Sequence, residues 1–295
     1  MGRHLAKLDD ALTDGPFTTR AGAETGVTRS RMRGSDLITP IRGVRIPLRA
    51  DGFEARLRAY ALHRERDFAF SHTTAARLYD IPLPTELPPD IHVSVPDPGR
   101  PPSIRGFIGH KLRHWDARVV GGLPVTTPEQ TWIDLASLLS VSALVVAGDF
   151  VIGGRQPLTD KNALRAAFAA APGRRGIARA RSAFEKMRVG AESPGETRLR
   201  LVLHKLGLPE PLLNVDIRDD DGRFVARADL AYPASRIALE YEGDVHRVDR
   251  STWMKDIGRR ERVEDLGWRM VRVTAADLRE PHTLASRVRH LLHTR

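Results

Sequence analysis

The sequence predicts a multidomain protein of mixed α/β and α+β class, and three observations lead there. Its 295 residues exceed one ordinary compact domain. Before residue 50 the pattern reads helix, helix, glycine turn, basic helix and alternating strand, the order of a winged helix-turn-helix. After residue 191 it reads helix, three strands, helix, strand and helix. The expected domains are a winged helix-turn-helix over 1–50, an α+β middle domain with a basic closing helix over 51–190, and an α/β domain over 191–295.

Leu5, Leu8 and Leu12 are spaced for one face of a first helix. Thr18 to Thr25 follows as a short second helix with a hydroxyl cap, and Gly26-Val27 makes a tight turn. Thr28 can cap a third helix carrying Arg29, Arg31 and Arg33. Ile41 to Ile46 alternates as a strand pair or wing that holds Arg42 and Arg45.

In the middle segment Ser71 can cap a helix through Leu78, and Asp90 to Val95 alternates as a strand before Pro96. Ile104 to Leu112 is a second strand. Pro128 opens a helix through Ala136, and the apolar run Ala143 to Phe150 reads as a buried helix. The closing helix, 174–188, lies in a stretch with six basic residues and one Glu between Ala171 and Gly190, a pattern that suits a solvated face as well as a DNA contact.

The C-terminal segment places helices over about 194–206, 251–266 and 282–293, and strands over 212–218, 224–232, 236–242 and 268–273. Asp219 to Gly222 has the composition of a hairpin turn. Alternation in the strand Ile237 to Glu242 sends Ile237, Leu239 and Tyr241 to one face and Ala238, Glu240 and Glu242 to the other. Two acids on an otherwise apolar strand repel each other and resist burial in ionised form. A divalent cation relieves both penalties. Asp229, eleven residues upstream, would approach Glu240 through a hairpin. Asp229, Glu240 and Glu242 are therefore candidate catalytic carboxylates, and oxygen ligands of this kind suit Mg²⁺ or Mn²⁺. Glu196 is a further candidate, although Ser193-Pro194-Gly195-Glu196 also spells a capping box with Pro at the first helical position.

There is no Cys, which excludes a disulfide scaffold, a thiolate zinc site and a cysteine nucleophile. No stretch has the length and apolarity of a membrane span, and residues 1–12 lack a signal-peptide run, so a cytoplasmic protein is expected. The net charge of +10 favours an anionic partner such as nucleic acid. From Ser193 onward 19 basic residues face 17 acidic ones, so most of the excess lies upstream.

Four blocks carry a resemblance: Arg227 to Ala231, Leu239 to His246, Asp256 to Arg260 and Gly267 to Val273. Together they resemble the very-short-patch-repair-endonuclease-like branch of the PD-(D/E)XK nuclease superfamily over about 100 residues. That likeness implies a restriction-endonuclease-like αβββαβ core in which Asp229 and Glu240 bind the metal. Glu242 stands where the superfamily usually has Lys, which leaves water activation unassigned, with His246 as a candidate. Arg259 and Arg260 are placed to bind phosphate or to pair with neighbouring acids. Residues 17–46, with the blocks Ser71 to Ala76, Ile91 to Pro96 and Gly122 to Pro128, resemble the AbiEi-type antitoxin and transcriptional-regulator family. This second likeness implies DNA binding, with Arg29, Arg31 and Arg33 on the recognition helix and Arg42 or Arg45 on the wing.

The expectation is a DNA-binding protein with a Mg²⁺- or Mn²⁺-dependent endonuclease-like C-terminal domain. Its rival is a non-catalytic repressor or antitoxin with a degenerate nuclease domain. DNA is the expected partner, beside a toxin or a second copy of the chain, and no membrane.

Overall fold

The computed structural model describes residues 6–64, 66–242 and 250–294, and of 250–257 the backbone alone. The described residues form a mixed α/β protein with three sheets. They divide into two compact units, 1–80 with 85–127, and 81–84 with 128–295.

The first unit begins with a small sheet. β1 (Phe17–Thr18) and β2 (Leu37–Ile38) flank the central β3 (Val44–Pro47), both antiparallel to it. The helix α1 (Thr19–Glu24) starts at Thr18, whose hydroxyl accepts the Ala21 N–H at 3.0 Å. Two expected helices are absent as such. Around Leu8 and Leu12 only a 3₁₀ turn forms, Asp10–Leu12, while both leucines cluster with Phe17. The basic third helix is a single 3₁₀ turn, Arg31–Arg33. Thr28 does accept the Arg31 N–H at 3.2 Å, as a cap would, but the chain turns extended at Gly34. There the Arg31 guanidinium folds back in a bidentate pair with Asp36, at 2.8 and 2.6 Å.

Next come α2 (Phe53–His63), β4 (Ala69–Phe70), α3 (His72–Leu78), β5 (Ile91–Pro96), β6 (Phe107–Leu112), β7 (Ala117–Val120) and β8 (Leu123–Thr126). Five of these make a mixed sheet in the order β6-β5-β4-β8-β7. Alternation in β5 sends Ile91, Val93 and Val95 into a core with Leu57 and Tyr60 of α2. It turns His92 and Ser94 the other way.

The second unit opens with helices α4 (Pro128–Leu135), α5 (Val141–Ile152), α6 (Lys161–Ala169) and α7 (Ile177–Lys186). Then follow α8 (Pro194–Lys205), β9 (Leu212–Arg218), β10 (Phe224–Tyr232), β11 (Ile237–Glu242), α9 (Arg250–Asp265), β12 (Arg269–Thr274), α10 (Ala275–Arg279) and α11 (Pro281–His293). Their sheet runs β12-β11-β10-β9, antiparallel except for the parallel pair β11–β12 that α9 connects. Ile237 and Leu239 pack with Leu199 and Leu203 of α8 and with Leu284 and Val288 of α11. Ala238, from the opposite face, packs with Val263 of α9. The helices thus cover both faces of β11, which explains its apolar run.

Candidate functional site

β10 and β11 pair in the register Tyr232↔Ile237, Ala231↔Ala238 and Leu230↔Leu239, and Asp229 and Glu240 come next outward. One Asp229 carboxylate oxygen accepts the Tyr241 N–H at 2.8 Å. Burial pushes the Asp229 carboxyl up from the ordinary Asp value, and the Glu240 charge pushes it further, against the pull of that hydrogen bond and of Arg259.

Glu240 points to the α9 side, where Arg259 reaches its carboxylate at 3.1 Å. Glu242, on the same face, pairs with Arg272 of β12 at 3.1 Å. Both acids therefore meet guanidinium groups. The third acid, Glu196, is nearly buried at the start of α8. Ser193 accepts the Glu196 N–H at 3.2 Å, which is half of a capping box. The other half differs from expectation: the Glu196 carboxylate takes the Glu192 N–H at 2.9 Å and the Asn214 amide at 3.1 Å. Burial raises the Glu196 carboxyl, and the Asp229 charge contributes in the same direction. Asp229 is thus the acid that links the set, repelled by Glu240 and itself repelling Glu196.

The remaining expected residues are scattered. Arg29, Arg33 and Arg42 are exposed on the first unit. Arg31 is committed to Asp36, its side chain 9% exposed. The Arg45 guanidinium donates to the carbonyls of Met32 and Val44, at 2.7 and 3.0 Å. Arg31 and Arg45 thus brace the small sheet, because a guanidinium satisfied by two or more acceptors has little left for a phosphate. Arg260 pairs with Glu264 at 2.7 Å on the exposed face of α9. His246 lies outside the described residues.

The group best placed for a metal is not the acidic one. Among the described residues a single set of three or more His, Asp or Glu side chains brings one ligand atom each within 4.8 Å of all the others: His72, His92 and His110. His72 begins α3 and His92 lies on β5. His110 lies on β6, opposite Ser94 in the parallel pairing. The rings of His92 and His110 are nearly coplanar, 5° apart, with Nδ1 of the first 3.0 Å from Nε2 of the second. The His72 ring stacks on His110 with centroids 3.7 Å apart. Burial lowers the His92 pKa, partly countered by Asp90. Sequence spacing gives no hint of this set, since 20 and 18 residues separate its members and only the β4–β5–β6 pairing brings them together. The single visible signal was a histidine set among the apolar Ile91, Val93 and Val95.

No family model matches the chain. Two proteins of Mycobacterium tuberculosis are similar to it: the uncharacterized protein Rv2248 of strain ATCC 25618 / H37Rv and the uncharacterized protein MT2308 of strain CDC 1551 / Oshkosh. Each is 32% identical over 220 residues, which cover 74% of this chain and 79% of the relative. The chain belongs to their family. No helix among the described residues is long and apolar enough to cross a membrane.

Proposed function

We propose that this chain is a DNA-binding protein whose C-terminal αβββαβ module is a Mg²⁺- or Mn²⁺-dependent DNA endonuclease. The observation that carries the reading is Asp229, a half-buried carboxyl on a central hairpin whose ionisation is opposed by burial and by Glu240. Carboxylates gathered against their own repulsion fit a hard divalent cation, whose charge offsets both costs. Asp229 and Glu240 would hold it, while Glu196, outside a common ligand set with them, adds its charge to the site. A divalent ion held there would supply Lewis-acid chemistry, polarising a phosphodiester and lowering the pKa of a water.

The chain's own groups have distinct tasks in this reading. The Tyr241 N–H fixes the Asp229 carboxylate. Ser193 anchors the first turn of α8, which keeps Glu196 near enough for the Asp229 charge to act on it. Arg259, paired with Glu240, is placed to exchange that carboxylate for a DNA phosphate. In the first unit, exposed Arg29, Arg33 and Arg42 supply phosphate contacts.

One observation favours a second reading, a non-catalytic repressor or antitoxin. Glu240 and Glu242 already have guanidinium partners, and Glu242 stands where the wider superfamily usually has Lys, although the branch that the chain resembles commonly does not. The two readings separate in one assay. Supercoiled plasmid incubated with the protein and Mn²⁺ or Mg²⁺ is expected to be nicked, and not in the presence of chelator. Asp229→Ala should lower the rate at least about 100-fold, as expected when a metal-binding group is lost. Equal nicking by Asp229→Ala, or none by the wild type, rejects the nuclease. A footprint on promoter DNA without cleavage supports the repressor.

A further inference from the structure

We propose that His72, His92 and His110 form a binding site for a divalent metal ion of the zinc class, separate from the carboxylate site. Three independent features support it. First, a tetrahedral zinc with ring nitrogens at about 2.1 Å sets its ligands about 3.4 Å apart. The three nitrogens here already lie within 4.8 Å of one another, two of them at 3.0 Å. To ligate, the His72 ring, now stacked on His110, would turn so that a nitrogen faces the other two.

Second, the surroundings prepare the ligands. The Ser71 hydroxyl lies 3.0 Å from His72 Nδ1. A polar partner on the second nitrogen is the usual support of a ligating histidine. The Thr74 hydroxyl accepts the His92 N–H at 2.8 Å and ties α3 to β5, holding two ligands on one frame.

Third, the fold bears costs at this place that packing alone does not require. His72 sits at φ 51°, in the left-handed region that side chains with a β-carbon rarely adopt. Ser94, fully buried on the His92 face of β5 and opposite His110, has a hydroxyl without a hydrogen-bond partner among the described residues. Strain and an orphaned hydroxyl around three imidazoles mark a site built for a ligand.

The donor set selects the metal. Three neutral nitrogens and no carboxylate suit Zn²⁺, Co²⁺ or Ni²⁺ and reject Mg²⁺ and Ca²⁺. Three ligands leave a fourth position for water, next to His110, the least buried of the three.

Full-length protein without a histidine tag, stripped of metal, would be titrated with Co²⁺ by visible absorption, with Zn²⁺ by calorimetry and with Mg²⁺ as control. One tight equivalent of Co²⁺ and of Zn²⁺ is expected, and no heat from Mg²⁺ at this site. His110→Ala and His72→Gln should each weaken Zn²⁺ binding at least about tenfold, whereas Asp229→Ala should leave it unchanged. Should His72→Gln fail to fold, His110→Ala decides, since its ring is partly exposed and circular dichroism can verify its fold. Absence of saturable Co²⁺ and Zn²⁺ binding overturns the proposal. So does equal binding by wild type and a folded His110→Ala.

Discussion

At the scale of single residues, Asp229 is maintained against its own stability. Its folded pKa is raised, so the native state holds the proton more tightly than the unfolded chain does. Stability from this group is present below the unfolded Asp value near 4 and is lost as pH rises through the raised folded value. Asp229→Asn keeps an oxygen to accept the Tyr241 N–H and removes the charge. In metal-free buffer at pH 7.5 the variant should melt a few degrees above wild type, and the gap should close as pH falls below about 4. A thermal melt across pH 3 to 8 measures it, and a variant less stable at every pH would sink the argument. The candidate acids were legible because period-2 alternation assigns faces without knowledge of neighbours. Their partners were not: Arg259 and Arg272 reach Glu240 and Glu242 only once α9 and β12 are laid against β11. The three histidines were illegible for the same reason, as chemistry assembled by strand pairing leaves no spacing in the chain.

At the scale of elements, the expected C-terminal strands and helices follow their sequence patterns within a residue or two, and the short α10 is an addition to them. The basic helix at 29–33 did not form, because Arg31 gains more from a bidentate carboxylate than from another helical turn. Capping explains where α8 starts, but its closeness to the sheet depends on Gly195. A β-carbon there would run into the Tyr241 ring. Helix propensity alone makes Gly→Ala favourable by up to about 1 kcal/mol. Overpacking against a rigid ring costs about 1–3 kcal/mol and should win. Gly195→Ala is expected to destabilise the protein by about 1 kcal/mol in urea titration, and a stabilised variant would show that α8 can move away freely.

At the scale of the second unit, a buried ion pair joins α5 to α8. Asp149 of α5 and Arg200 of α8 meet at 2.8 Å, both almost fully buried. Thr197 donates to the same Asp149 oxygen at 3.0 Å, and Glu210 takes the other arm of Arg200 at 3.0 Å. Such a pair adds little over an apolar contact, but removing one member leaves a buried charge uncompensated. Asp149→Ala should cost about 3 kcal/mol or more, read as an earlier urea midpoint by tryptophan fluorescence. A loss under 1 kcal/mol would mean that Glu210 alone neutralises Arg200. The pair was invisible in the sequence because its members stand 51 residues apart, on either side of the loop that Gly190 and Pro194 mark.

The Asp149–Arg200 pair also bears on how such a chain can be shuffled during evolution. A recombination event that cut at that loop would look harmless, since it breaks no helix and no strand. It would nevertheless deliver the C-terminal hundred residues to a new host with a buried guanidinium that has lost one of its two carboxylate partners. A piece that carried α5 along would keep both partners, so the unit that travels without this loss begins well before the carboxylates that would give it a use.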